Sequence, residues 1–202
     1  MHILPVLDLQ GGIVVRGVAG QRHAYQPLGS CWTNSAQPAD VAGALFDLGL
    51  TRAYIADLDA IVRGAPDWSA YRALRAARPA MRFLLDAGLR TRDDAERLMA
   101  SDMGPALEGI VAGLESLDGP EILAELVELI GPERLVFSLD LRGGVPLLPS
   151  DHVWPSATAP GIAATAYELG VRRWILLDLA AVGCGQGVPT LGLLATLRQR
   201  LA

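Results

Sequence analysis

At 202 residues the chain has the length of a single domain able to bury a sizeable core. Half of it is hydrophobic (51%), yet no apolar stretch reaches the ~18 residues needed to cross a bilayer. The net charge of -5 argues against a nucleic-acid surface. There is no lysine, which excludes Schiff-base catalysis through that residue and excludes a P-loop.

In chain order, strand-like runs begin near His2, Arg52, Met81, Ala106, Arg134 and Arg172. Each is apolar at consecutive positions, as strands buried on both faces are. Helical segments are predicted between and after them at 40–48, 67–77, 91–100, 121–130, 160–169 and 190–201. Thr91 reads as an N-cap, Pro120 as a first-turn proline, and Gly131 and Gly170 as stops. This alternation means βα units on a parallel sheet. The opening Met-His-Ile-Leu-Pro lacks a basic flank and a cleavage site, so no signal peptide is expected. Cys31 and Cys184 lie far apart and read as reduced thiols of a cytoplasmic protein.

Five apolar runs end in aspartate, at Asp8, Asp57, Asp86, Asp140 and Asp178. Val-Leu-Asp8-Leu-Gln-Gly-Gly recurs as Ser-Leu-Asp140-Leu-Arg-Gly-Gly, and the words around Asp57 and Asp178 match less closely. Strand 1 thus resembles strand 5, and strand 2 resembles strand 6. Two halves of four units make a TIM (β/α)8-type barrel, favoured here over an open doubly wound sheet. Only about six βα units are present, so residues 1–202 are expected to form one barrel domain lacking units 7 and 8. A strand-end carboxylate either lines a site or caps the next helix. The matched words favour a site role for Asp8 and Asp140. Both readings stay open for Asp57 and Asp178, while Asp59 reads as structural.

These residues resemble the HisA/HisF family of histidine-biosynthesis barrels, along essentially the whole chain. Leu4–Leu9 followed by Gly12–Arg16 is similar to the family's first strand and hairpin. Ile55–Ala60 is similar to its second strand, Gly88–Asp94 to the end of its third, and Val111–Gly113 with Pro120-Glu121 to its fourth. The likeness is closer to the isomerase branch. It implies an Amadori-type conversion of an aminoaldose phosphate to an aminoketose phosphate, with Asp8 as general base and Asp140 as general acid. It implies a small phosphorylated substrate contacted by Arg16, Asp57, Gly88, Arg90, Gly113, Ser116 and Asp178, and no cofactor or metal. Words such as Gly17–Arg22 and Asp57–Ala60 look closest to a related group in methylotrophs and methanogens, which implies a role near tetrahydromethanopterin-linked one-carbon metabolism. A non-catalytic binding descendant is the alternative from another class.

The chain departs from the family pattern at its turns. After strand 3 it reads Asp86-Ala87-Gly88-Leu89-Arg90 where the family has several glycines. A carboxylate there repels an anion, and Cβ atoms block close backbone approach, unless Arg90 compensates. Glu115 adds a second acid after strand 4, and the glycine-rich 182–187 loop lacks the family's acid and threonine. Together they imply a weakened phosphate site or a different ligand group. Arg22, His23 and Tyr25 either contact a ligand or form an ordinary solvated loop. Trp154 either covers the barrel mouth or packs on a helix. His2, His23 and His152 show no metal-ligand spacing.

Overall fold

The computed structural model describes residues 3–150 and 152–201. His2, near which the first strand was expected to begin, lies outside them. The strands are β1 (Val6–Gln10), β2 (Ile13–Arg16), β3 (Gln26–Pro27), β4 (Arg52–Asp57), β5 (Arg82–Asp86), β6 (Leu107–Gly113), β7 (Leu135–Arg142), β8 (Val145–Pro146) and β9 (Arg173–Asp178). The helices are α1 (Pro38–Asp47), α2 (Leu58–Arg63), α3 (Trp68–Ala77), α4 (Arg92–Ala100), α5 (Pro120–Ile130), α6 (Ala159–Glu168) and α7 (Leu191–Arg200). β1, β4, β5, β6, β7 and β9 pair in parallel, in that order, each with the next. The curled sheet is therefore a TIM-barrel type of six units. β2, β3 and β8 are antiparallel additions at the strand ends.

Local chemistry sets these boundaries. The Asp67 carboxylate accepts from the amides of Ser69 and Ala70 and starts α3. Thr91 and Asp94 form a reciprocal capping box at α4, as expected for Thr91. Pro120 opens α5, and Gly131, at φ 83°, ends it. The short α2 was not read from sequence, because Leu-Asp-Ala-Ile-Val-Arg carries β-branched residues and no helical period long enough to see.

The sheet divides the core in two. Leu7, Ile55, Phe83, Leu85, Phe137 and Leu139 pack with the helices in the larger cluster. Tyr54, Ala56, Leu84, Val111 and Val136 form a smaller cluster on the opposite face. β4 to β7 are buried almost throughout, as their apolar runs imply. β9 departs from that expectation and is only partly buried over Arg173–Leu177, since it pairs with β7 on one side alone among the described residues.

The repeated words fold alike. The hairpin after β1 turns through Gly11 and Gly12 at φ 59° and 81°, and that after β7 through Gly143 and Gly144 at φ 60° and 81°. Two consecutive positive φ values are what a two-residue turn matched to strand twist requires, so glycine fits both positions.

Candidate active site

Side chains alternate faces along a strand, so parity decides which strand-end aspartates meet. Asp8 stands in register with Ala56, and Ala56 with Asp86, which puts all three on the face of the smaller cluster. Asp140 stands in register with Leu177, another cavity-lining position. Asp8, Asp86 and Asp140 line one cavity of about 370 Å³, with Glu115, Arg16, Arg22, Tyr25 and Tyr54.

Asp57 and Asp178 fall one residue later and point away. The Asp57 carboxylate is fully buried and accepts from the amides of Asp59, Ala60 and Asp67 and from the Tyr71 hydroxyl at 2.7 Å. The Asp178 carboxylate accepts from the amides of Gly143, Gly144 and Ala180. In this structure the carboxylates of both expected substrate contacts hold turns and helix starts. Asp59 binds the Gly11 amide at 2.7 Å and pairs with Arg63, in keeping with its structural reading.

The turn after β5 is likewise occupied by partners of its own. Gly88 sits at φ 60°, and a Cβ there would lie 2.6 Å from the Ala60 carbonyl oxygen. Its amide donates to Asp86 Oδ1 at 2.9 Å. The Arg90 guanidinium donates to the carbonyls of Ala60, Gly88 and Ile61. Neither Gly88 nor Arg90 is therefore free to hold an anion in this structure. Gly113 does face the cavity group. A Cβ on it would lie 3.1 Å from both Asp86 Oδ2 and Asp140 Oδ2, so the missing side chain leaves room for the two carboxyls. Ser116 is buried with an unpartnered hydroxyl and does not line the cavity.

The loop after β2 roofs the mouth. Arg22 pairs with Glu115 at 2.6 Å across it, and the Ala19 amide donates to the Val182 carbonyl at 2.8 Å. A Cβ on Gly17 would lie 2.5 Å from Asp8 Oδ2, so a larger residue there would displace that carboxylate. Arg22 and Tyr25 join the cavity, while His23 is exposed. Trp154 packs against Phe137 and donates to the Leu117 carbonyl at 3.2 Å, so it is a core residue. Among the described residues no group of His, Cys, Asp and Glu is placed to hold a metal ion.

Burial sets the protonation of the carboxyls. It raises Asp8 to about 6, with Arg22 opposing. It raises Asp86 to about 7 against the Gly88 amide bond. Asp140 is pushed well above its ordinary value by burial first and by Glu115 next, although the Ser138 hydroxyl donates to it at 2.6 Å. Burial thus raises both carboxyls, and Arg22 opposes the rise at Asp8 while Glu115 adds to it at Asp140. Tyr54, Ser138 and the Arg22–Glu115 pair were not read as site partners from sequence. Ser138 carried a usable signal, two residues before Asp140 on the same strand face.

The family model described as "Histidine biosynthesis protein" matches residues 2–201. A protein of Syntrophomonas wolfei named 1-(5-phosphoribosyl)-5-((5-phosphoribosylamino)methylideneamino)imidazole-4-carboxamide isomerase is 30% identical over 188 residues, covering 93% of this chain and 72% of the relative. Proteins of the same name from Symbiobacterium thermophilum and Thermus thermophilus are 29% and 27% identical, covering 91% of this chain and 71% and 73% of theirs. These names lend no support to the one-carbon role or to special closeness to a methylotroph and methanogen group. Among the described residues no helix is long and apolar enough to cross a membrane.

Proposed function

The chain belongs to the histidine biosynthesis protein family, and from that premise we propose that it is an aldose–ketose isomerase acting by acid–base chemistry on a small phosphorylated, sugar-like molecule. One observation carries the reading. Asp8 and Asp140 reach a single cavity from β1 and β7, in surroundings that raise both carboxyls, Asp8 to about 6 and Asp140 well above its ordinary value.

The division of labour follows. Protonated Asp140 gives its proton to the ribose ring oxygen as the C1–O bond breaks and the amine nitrogen's lone pair forms the C1–N double bond. Ionised Asp8 removes the C2 proton, and those electrons make the enolamine. The C2 hydroxyl then loses its proton while C1 gains one, giving the aminoketose. The two carboxyls end the cycle with the protons exchanged and are reset by solvent. Arg16 and Arg22 are the cations on the cavity wall and are the side chains proposed to meet the substrate's phosphate.

The test is turnover of the aminoaldose that names the relatives. Asp8→Asn and Asp140→Asn should each lower kcat by at least about a hundredfold while KM changes little. A folded wild-type protein without turnover on that substrate rejects this reading.

A further inference from the structure

Asp86 is a cavity carboxyl that the isomerisation leaves without a task. It is 4% exposed, it ends β5, and its Oδ1 takes the Gly88 amide. A backbone amide at the start of a βα turn, at the carboxyl end of a parallel strand, is ordinarily offered to a ligand anion. Here the protein's own carboxylate occupies it. The nearby guanidinium that could substitute, Arg90, is spent on three carbonyls.

The other oxygen points elsewhere. Asp86 Oδ2 and Asp140 Oδ2 converge beside Gly113, each 3.1 Å from the place its Cβ would take. No donor from the described residues reaches Asp86 Oδ2. The Tyr54 hydroxyl adds a second signal. Tyr54 is 7% exposed, lines the same cavity beside Asp86 and Asp140, and makes no hydrogen bond among the described residues. Neither atom is among the fully buried unpartnered ones, so both open onto the cavity, where an unpartnered acceptor can take a ligand that donates. Arg16 lines the same cavity, while Arg22 is already paired with Glu115 at 2.6 Å.

We propose that Asp86 is a specificity residue. With Asp140 and Tyr54, it makes the β5–β6 end of the cavity accept an N–H donor group of the substrate, such as an amine, amidine or carboxamide, and refuse an oxyanion. This deepens the isomerase reading and rests on it only for the identity of the substrate. The substrate's phosphate then lies toward Arg16.

Binding, read without turnover, tests it. The full chain is labelled with 15N-glycine and titrated with formamidinium and, separately, with inorganic phosphate, following the Gly88 and Gly113 amides. In the wild type, formamidinium shifts both resonances saturably and phosphate leaves Gly88 unmoved. Asp86→Ala weakens formamidinium at least about tenfold and lets phosphate move Gly88. Asp86→Asn, which keeps an oxygen on the amide, still shuts phosphate out. Saturable phosphate binding at Gly88 in the wild type overturns the proposal. Formamidinium affinity that is absent, or indifferent to Asp86→Ala in a protein with native glycine dispersion, also overturns it. Because no arm uses catalysis, failure of the isomerase reading and failure of this one remain separate results.

Discussion

Asp86 couples the site to stability. Its carboxyl is raised to about 7 by burial, so the folded state binds a proton more tightly than the unfolded chain between the ordinary carboxylate range and that value. Stability contributed by the protonated form is present below the unfolded value and is lost as pH climbs through the folded one. Three pH units bound that loss at on the order of 4 kcal/mol. Urea melts at pH 5 and pH 8 should show the wild type weakening across the interval and Asp86→Asn weakening less. Equal slopes for the two proteins would contradict the assignment. Gly88 gives a second residue-scale prediction. Gly88→Ala combines a positive φ with contact against the Ala60 backbone and should cost on the order of 2–4 kcal/mol in a denaturant titration.

Among elements, α2 depends on partners drawn from both ends. Asp57 caps its start, and Arg90 binds the carbonyls of Ala60 and Ile61. Asp57→Ala would leave the buried Tyr71 hydroxyl without its acceptor and should destabilise by about 3 kcal/mol, measured by thermal unfolding. Arg90→Ala should also destabilise, by about 1–3 kcal/mol, yet leave substrate KM unchanged, since that guanidinium serves the backbone. A KM that rises sharply for Arg90→Ala would contradict that role. The long elements were legible because their signals are local, as at Thr91, Pro120 and Gly131. The aspartates were only half legible. A strand ending in Asp is visible in sequence, but the face it occupies depends on register with neighbouring strands. Ala56 and Asp57 differ by one position and by the side of the sheet they serve. Roles that need a partner from a distant segment, such as Arg22 with Glu115 or Tyr54 beside Asp86, have no local signature.

At the scale of the whole molecule, the sheet's inner four strands and its last strand should differ in dynamics. β5 and β6 are paired on both sides, whereas β9 pairs with β7 alone among the described residues. Hydrogen exchange should therefore be fastest in β9 among the parallel strands β4 to β7 and β9, and slowest in β5 and β6. Matching protection of β9 and β5 would mean that something else covers that edge. No ladder joins β1 to β9 among the described residues, and the amide of Ala19 on the carbonyl of Val182 ties the loops above them. That backbone hydrogen bond is a clasp between the loops that follow β2 and β9. Strand number and shear fix the bore of a barrel, whereas this clasp fixes how the two loops sit over the cavity mouth. Adding or removing one residue in either loop should thus retune the size of molecule admitted, with every residue on the cavity wall left as it is.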